Sequence, residues 1–296
     1  MTLQCGIVGL PNVGKSTLFN ALTQTMNAEA SNYPFCTIAP NLGRVGVPDE
    51  RLENLARIAN SKEIIRSQID FVDIAGLVRG ASRGEGLGNQ FLSNIRGVDC
   101  ILNVVRCFDD EDVAHVERSI DPVRDIELVQ TELILADIEN LENRLQNLGK
   151  KGKITGDVSP SEQIALIEKI LPTLNRGEPA LNATISRDEE RAYRILQLLT
   201  AKRQFFVCNL GEKDIVPGND YTKMVREYCK KNDYQYVTCS AKIESEIALL
   251  ETEKEKEEFL AALGLPERGL DKIIKTSYSL LDLISFFTVG PKEARA

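Results

Sequence analysis

The sequence predicts an α/β protein with a mostly parallel sheet, interrupted by an α-helical insertion. Three observations predict it. Short apolar runs recur at residues 2–9, 68–73, 99–106, 203–208 and 234–239, several separated by helix-like stretches. Strands that alternate with helices need crossover connections, and crossovers make neighbouring strands parallel. The first run stops at a glycine-rich turn and continues into KSTLFNALTQ, giving strand, loop and helix in succession. From about 125 to 202 the rhythm changes to long helical patterns without a convincing strand.

Each element has its own justification. In the insertion, Ile134, Ile138, Leu141, Leu145 and Leu148 recur in steps of 4, 3, 4 and 3, the spacing of a coiled-coil seam. A second seam of Ile164, Ile167, Leu171 and Leu174 follows the turn-rich KKGKITGDVSP, and a third helix carries Ala192, Ile195 and Leu199. We read an antiparallel helical hairpin that packs on itself, with Lys150, Lys151 and Lys153 at its tip as a possible RNA contact. Further on, ETEKEKEEFLAAL reads as a solvated charged helix and residues 268–284 as an amphipathic one. A last apolar piece, SFFTVG, reads as a strand that begins without successors.

Length and composition set outer bounds. A chain of 296 residues supports about two domains, and 43% hydrophobic with 27% charged residues is ordinary globular usage. The 36 basic and 44 acidic residues leave a net charge of −8, which disfavours nucleic-acid binding through the whole surface and leaves room for a local basic patch. Seven cysteines, odd in number and mostly within or beside apolar runs, read as reduced core residues. With no basic n-region before the first apolar run and no stretch of about 18 apolar residues, a cytoplasmic location without membrane contact is expected. The one histidine, His115, rules out His-rich metal sites.

The chemistry is concentrated in two motifs. Residues 9–16, GLPNVGKS, match G-x-x-x-x-G-K-[ST], the P-loop. Gly9 and Gly14 let main-chain N–H groups turn around phosphate oxygens at a helix N-terminus. Asn12, Val13, Gly14, Lys15, Ser16 and Thr17 form the expected phosphate-binding set, with Lys15 reaching the β- and γ-phosphates and Ser16 a Mg²⁺ ligand. Asp73-Ile74-Ala75-Gly76 ends a later strand as D-x-x-G, where the aspartate holds Mg²⁺ through water and the Gly76 N–H senses the γ-phosphate. The glycine-rich segment that follows is expected to be ordered by nucleotide, and Thr37 in NYPFCT offers a second Mg²⁺ ligand.

Base selection is less regular. No N-K-x-D motif for guanine is present; Asn209-Leu210-Gly211-Glu212 stands at the expected strand end, and Ser240-Ala241-Lys242 follows the next strand. Leucine in place of lysine, and a glutamate one methylene longer than aspartate, weaken strict guanine selection.

With GLPNVGKST, NYPFCTI, DIAGLVRGAS, GEGLGN, N-x-x-E and SAKIESEIA together, the chain closely resembles the YchF/Obg-like ATPase family of the Obg branch of translation-factor GTPases. The resemblance covers nearly the whole chain. It implies a nucleotide domain over residues 1–124 and 203–278, a coiled-coil insertion at 125–202, and at 279–296 the opening of a TGS (β-grasp) domain. It also implies Mg²⁺-dependent ATP hydrolysis favoured over GTP, base contacts from Asn209, Leu210, Glu212, Ser240 and Ala241, and ribosome association by a monomeric chain. Leu77 occupies the position where many GTPases carry a water-orienting glutamine, and the resemblance points instead to His115, acting with Lys15 and Gly76. The competing readings are an Obg-like GTPase switch and a nucleotide-stabilised binding module in which hydrolysis is incidental.

Overall fold

The computed structural model describes residues 3–30, 42–74, 92, 94–110, 113, 119–151 and 158–296. A six-stranded sheet organises the chain in the order β2-β4-β1-β5-β6-β7. Its strands are β1 (Leu3–Val8), β2 (Leu42–Gly46), β4 (Gln68–Asp73), β5 (Cys100–Arg106), β6 (Arg203–Asn209) and β7 (Gln235–Cys239). All pairs are parallel except β2 with β4. The antiparallel edge strand β2 was not evident in the sequence, because Gly43, Arg44 and Gly46 break its apolar alternation. Arg44 holds its register through a forked contact with Asp70 at 2.7 and 3.0 Å.

The apolar runs become strands because both faces of this sheet are covered. All seven residues of β5 are buried. Helix α1 (Lys15–Ala30) packs on one side together with α7 (Ala241–Ile247), and α9 (Gly269–Leu280) lies against β5, β6 and β7. Ile7, Phe71, Leu102, Phe205 and Ile273 form part of one continuous core. All six described cysteines are buried with free thiols, as their apolar neighbourhoods suggested. Among the described residues no helix is long and apolar enough to cross a membrane.

The insertion consists of α3 (Pro122–Lys151), α4 (Pro160–Asn175) and α5 (Glu190–Leu196). Helix α3 serves two cores. Val129, Leu133 and Ala136 pack into the sheet core, whereas Ile134 and Leu141 face α4. The stripe on α4 differs from the expected seam: Leu166, Ile167, Ile170 and Leu174 are buried, and Ile164 and Leu171 lie at its margin. On α5, Ile195 is exposed and Leu196 is buried, while Leu199 belongs to the sheet core. These shifts have one cause. Helix α4 packs against α3 on one side and α5 on another, so its apolar face is wider than a two-helix seam. Asp137, fully buried on α3, accepts hydrogen bonds from the Leu199 and Thr200 N–H groups and the Thr200 hydroxyl, tying the end of the insertion to its first helix. The side chains of Lys150 and Lys151, and all of Lys153, lie outside the described residues.

Helix α2 (Glu50–Ala59) and the short strand β3 (Glu63–Ile65) lead into β4. Helix α6 (Asp220–Asn232) lies between β6 and β7, and α8 (Glu253–Leu263) buries no residue, consistent with its charge. The apolar piece expected to have no successors does find a partner strand. Strand β8 (Thr288–Val289) pairs antiparallel with β9 (Glu293–Arg295), which in turn pairs parallel with β3. Ala294 packs with Leu52 and Ala56 of α2, and the Arg51 guanidinium lies 5.1 Å from the Phe287 ring centroid. This pairing was illegible locally, since its partners lie some 230 residues apart.

Candidate functional site

The site lies where the strand order reverses. Strand β1 has β4 on one side and β5 on the other, and the chain leaves it at its carboxyl end. Such a switch point leaves a crevice beyond the strand ends. The phosphate loop fills that place, joining β1 to α1. Asn12 adopts a left-handed conformation with φ 63°, and Gly14 has φ 92°. Gly14 is required twice over: the φ favours glycine, and a Cβ there would collide with the Asn209 side-chain amide. A Cβ at Gly9 would come 2.7 Å from the Val104 carbonyl.

Lys15 begins α1, and the N–H groups of its first turn have no partners within the helix. Its side chain is buried and donates to the Asp73 carboxylate at the end of β4. The two motifs, 58 residues apart, therefore meet through opposite charges. Ser16 and Thr17 are exposed beside them and Val13 is buried in the core.

A second link crosses to the base-side motifs. Asn209, buried at the end of β6, donates through Nδ2 to the Val13 carbonyl at 2.8 Å and accepts through Oδ1 from the Ala241 N–H at 2.9 Å. One side chain thus joins the phosphate loop to the Ser240-Ala241-Lys242 turn. Ser240 is buried, and its hydroxyl finds no partner among the described residues. Leu210 turns inward among Val105, Cys107, Phe206 and Cys208, and its N–H donates to the Cys239 carbonyl. Glu212 forms an ion pair with Lys242, both partly exposed. The two residues belong to separate sequence motifs, and only the fold brings them together. Thr37, Gly76, Leu77 and His115 lie outside the described residues.

The residues present suit Mg²⁺. That ion takes hard oxygen ligands and usually keeps waters and substrate phosphates rather than a full protein cage. Ser16 and Asp73 supply a hydroxyl and a carboxylate next to the phosphate loop, and among the described residues no group of three or more His, Cys, Asp or Glu side chains gathers to hold an ion.

Against this geometry, the sequence matches the family model described as 50S ribosome-binding GTPase over residues 4–141. It is 47% identical over 298 residues to the ribosome-binding ATPase YchF of Bacillus subtilis (strain 168), covering 100% of this chain and 81% of that protein. The corresponding protein of Escherichia coli O157:H7 is 46% identical over 296 residues, with 100% and 80% covered. The chain belongs to the YchF family. The structure titled Schizosaccharomyces pombe YchF GTPase is 37% identical, superposes with a TM-score of 0.85, and is matched over 99% of this chain and 79% of that one. The YchF architecture therefore extends through the insertion and the β8–β9 pair as well as the phosphate site.

One buried acid supports the base-side turn in this YchF-family chain. Glu244 on α7 is 2% exposed; its Oε1 accepts from the Gly269 N–H at 2.7 Å, and its Oε2 has no partner among the described residues. Burial pushes its pKa up from 4.5 to about 7. The folded state thus holds this proton more tightly than the unfolded chain, so the stabilisation is full below pH 4.5 and is lost as pH rises through about 7. Urea unfolding at pH 5 and pH 8 is expected to show wild type losing up to about 3 kcal/mol more than Glu244→Gln across that interval. Equal losses in the two proteins would mean that Glu244 titrates normally.

Proposed function

We propose that this chain is a Mg²⁺-dependent nucleoside triphosphate hydrolase that prefers ATP to GTP and works as a nucleotide-dependent switch on the ribosome. The observation that carries the nucleotide part is the buried Asn209 bridge, which holds a phosphate loop and a base-side turn to one another across the carboxyl edge of the sheet. Within that frame the proposed roles follow from chemistry. The first-turn N–H groups of α1 and the Lys15 ammonium neutralise the phosphates. Ser16 and Asp73, with Thr37, would hold Mg²⁺, which would supply positive charge against the phosphates during transfer. Lys15, which donates to Asp73 in the structure, would turn to bound phosphates and leave the Asp73 carboxylate available as an oxygen ligand. Gly76 reports the γ-phosphate through its N–H, and His115 positions the attacking water.

The preference for ATP is supported by what the base-side motif lacks. Guanine recognition draws on an aspartate accepting two N–H groups, with a lysine stem over the ring. Here Leu210 is committed to the core and Glu212 is paired with Lys242. Ribosome association is the activity stated in the names of the bacterial relatives, which match this chain end to end at nearly half identity.

The deciding experiment is a pair of affinities, ATP and GTP, for the intact protein and for Glu212→Asp. ATP is expected to bind more tightly to the intact protein, with the gap narrowing in the variant. Tighter binding of GTP by the intact protein would overturn the proposed preference and favour a GTPase switch. Co-sedimentation with ribosomes in ATP, in ADP and without nucleotide tests the switch, which requires the bound fraction to differ among the three.

A further inference from the structure

The last helix of the insertion has two faces of different character. Ala192 and Leu196 of α5 are buried in the insertion core. Arg191 and Arg194 on α5, and Arg187 in the turn before it, are exposed and recur in steps of 4 and 3, the spacing that gathers side chains on one side of a helix. With Glu190, Ile195 and Gln197 they line an open groove of about 590 Å³. Its described lining carries three positive charges against one negative. Glu190 neutralises little of this, because it lies 3.6 Å from Arg194 and the two side chains are 58% and 82% exposed, where an ion pair is weak. Glu189 is engaged elsewhere, by Lys169 of α4 at 2.7 Å and the Ser186 N–H at 2.8 Å.

Two further arginines stand behind the groove and fix its shape. Arg144 of α3 donates to the Gln163 side-chain oxygen of α4 through Nε at 3.2 Å and Nη2 at 2.8 Å, and to the Ile195 carbonyl through Nη1 at 3.2 Å. Arg96, shortly before β5, donates to the Gln197 carbonyl at 3.4 Å. Both meet the C-terminal end of α5, where carbonyls left over by the helix favour cations. These acceptors are neutral, so the hydrogen bonds leave the two positive charges in place beside the groove. Burial alone pulls the Arg144 pKa down. The groove thus concentrates positive charge on a chain whose net charge is −8.

We propose that the α5 groove is an RNA-docking surface, with Arg187, Arg191 and Arg194 taking successive phosphates of the backbone. Chemistry favours RNA over an acidic protein segment. The guanidinium fork binds a phosphate through two N–H groups and also stacks on flat rings, which carboxylate chains lack. Ile195 and Gln197 add an apolar contact and an amide for sugar and base. The choice of RNA rests on the ribosome reading above and deepens it by naming the face that meets the particle. In the sequence this surface is hidden, because RDEERAYR holds as many acids as arginines and reads as neutral. Folding sorts the two signs.

The test compares the full chain with its Arg187→Gln/Arg191→Gln/Arg194→Gln variant and with a control of equal charge change, Lys223→Gln/Lys230→Gln/Lys254→Gln, all at exposed positions. Thermal melts check folding, and Arg194→Gln alone decides the matter if the triple variant does not fold. Binding to a labelled RNA hairpin and co-sedimentation with ribosomes are followed over a range of salt concentrations, with polyglutamate and unlabelled hairpin as competitors. The arginine variant is expected to bind both targets at least about tenfold more weakly, and the slope of log affinity against log salt should shrink by about 2, as losing three phosphate contacts produces. The lysine control should stay near wild type. Wild type that ignores the hairpin, arginine variants that bind it normally, equal losses in the control, or polyglutamate competing better than RNA would each overturn the inference. If wild type binds the hairpin through the arginines but no ribosomes, the ribosome reading is what has failed. Ribosome binding that survives loss of the three arginines sinks this inference alone.

Discussion

Lys15→Ala should lower kcat for ATP by about 10²–10³-fold, the loss typical of removing one preorganised donor to developing charge. The lysine is the first residue of α1, and its ammonium lies in a water-poor position against Asp73. A charge held there by the fold needs little reorganisation when a triphosphate enters. Removing it has a second effect, because Asp73 keeps its carboxylate without the cation beside it and becomes a repulsive neighbour for phosphate. ATP affinity should therefore fall together with kcat. Lys15→Arg restores the charge, but as a planar fork in place of a compact ammonium, and should recover little of the activity. Single-turnover hydrolysis and ATP affinity measured on both variants check this; near-normal turnover in Lys15→Ala would remove the lysine from the proposed site.

His115→Ala should reduce kcat by about 10²–10⁴-fold, the usual contribution of a group that positions or polarises the attacking nucleophile. Affinity for ATP and ADP should stay within about twofold of wild type, as expected of a group that acts only on the attacking water. The size of the effect follows from what is missing elsewhere. Leu77, directly after D-x-x-G, carries no group able to orient water, and the chain has no other histidine. The contrast with Lys15→Ala is diagnostic: that variant should lose binding and turnover together, and this one turnover alone. Turnover unchanged in His115→Ala would leave water activation to main chain, metal or a partner.

Much of the site was legible because its chemistry is local. A phosphate loop needs glycines, a lysine and a hydroxyl residue at fixed spacing, and the order of strand, loop and helix around it follows from periodicity over a dozen residues. Asn209 stands out in the sequence within N-x-x-E, but its bridge to Val13 does not, since the partners are 196 residues apart and nothing in either segment names the other. Leu210 shows the same limit from the other side. Its motif position suggested a surface at the base, whereas its apolar side chain found a better place in the core. In the insertion, the heptad steps of α3 were readable, yet the buried face of α4 depended on where α5 packed.

The sequence by itself determined the α/β class, the phosphate loop, the helical character of the insertion and the residues that had to be weighed for chemistry, because each of these is encoded in spacing along one segment. Only the tertiary structure decided which of those segments meet: Lys15 with Asp73, Asn209 with two loops at once, and β9 with β3. The physical reason is that buried polar groups and strand edges must be satisfied by whatever the fold brings near. That proximity is set by the packing of the whole sheet.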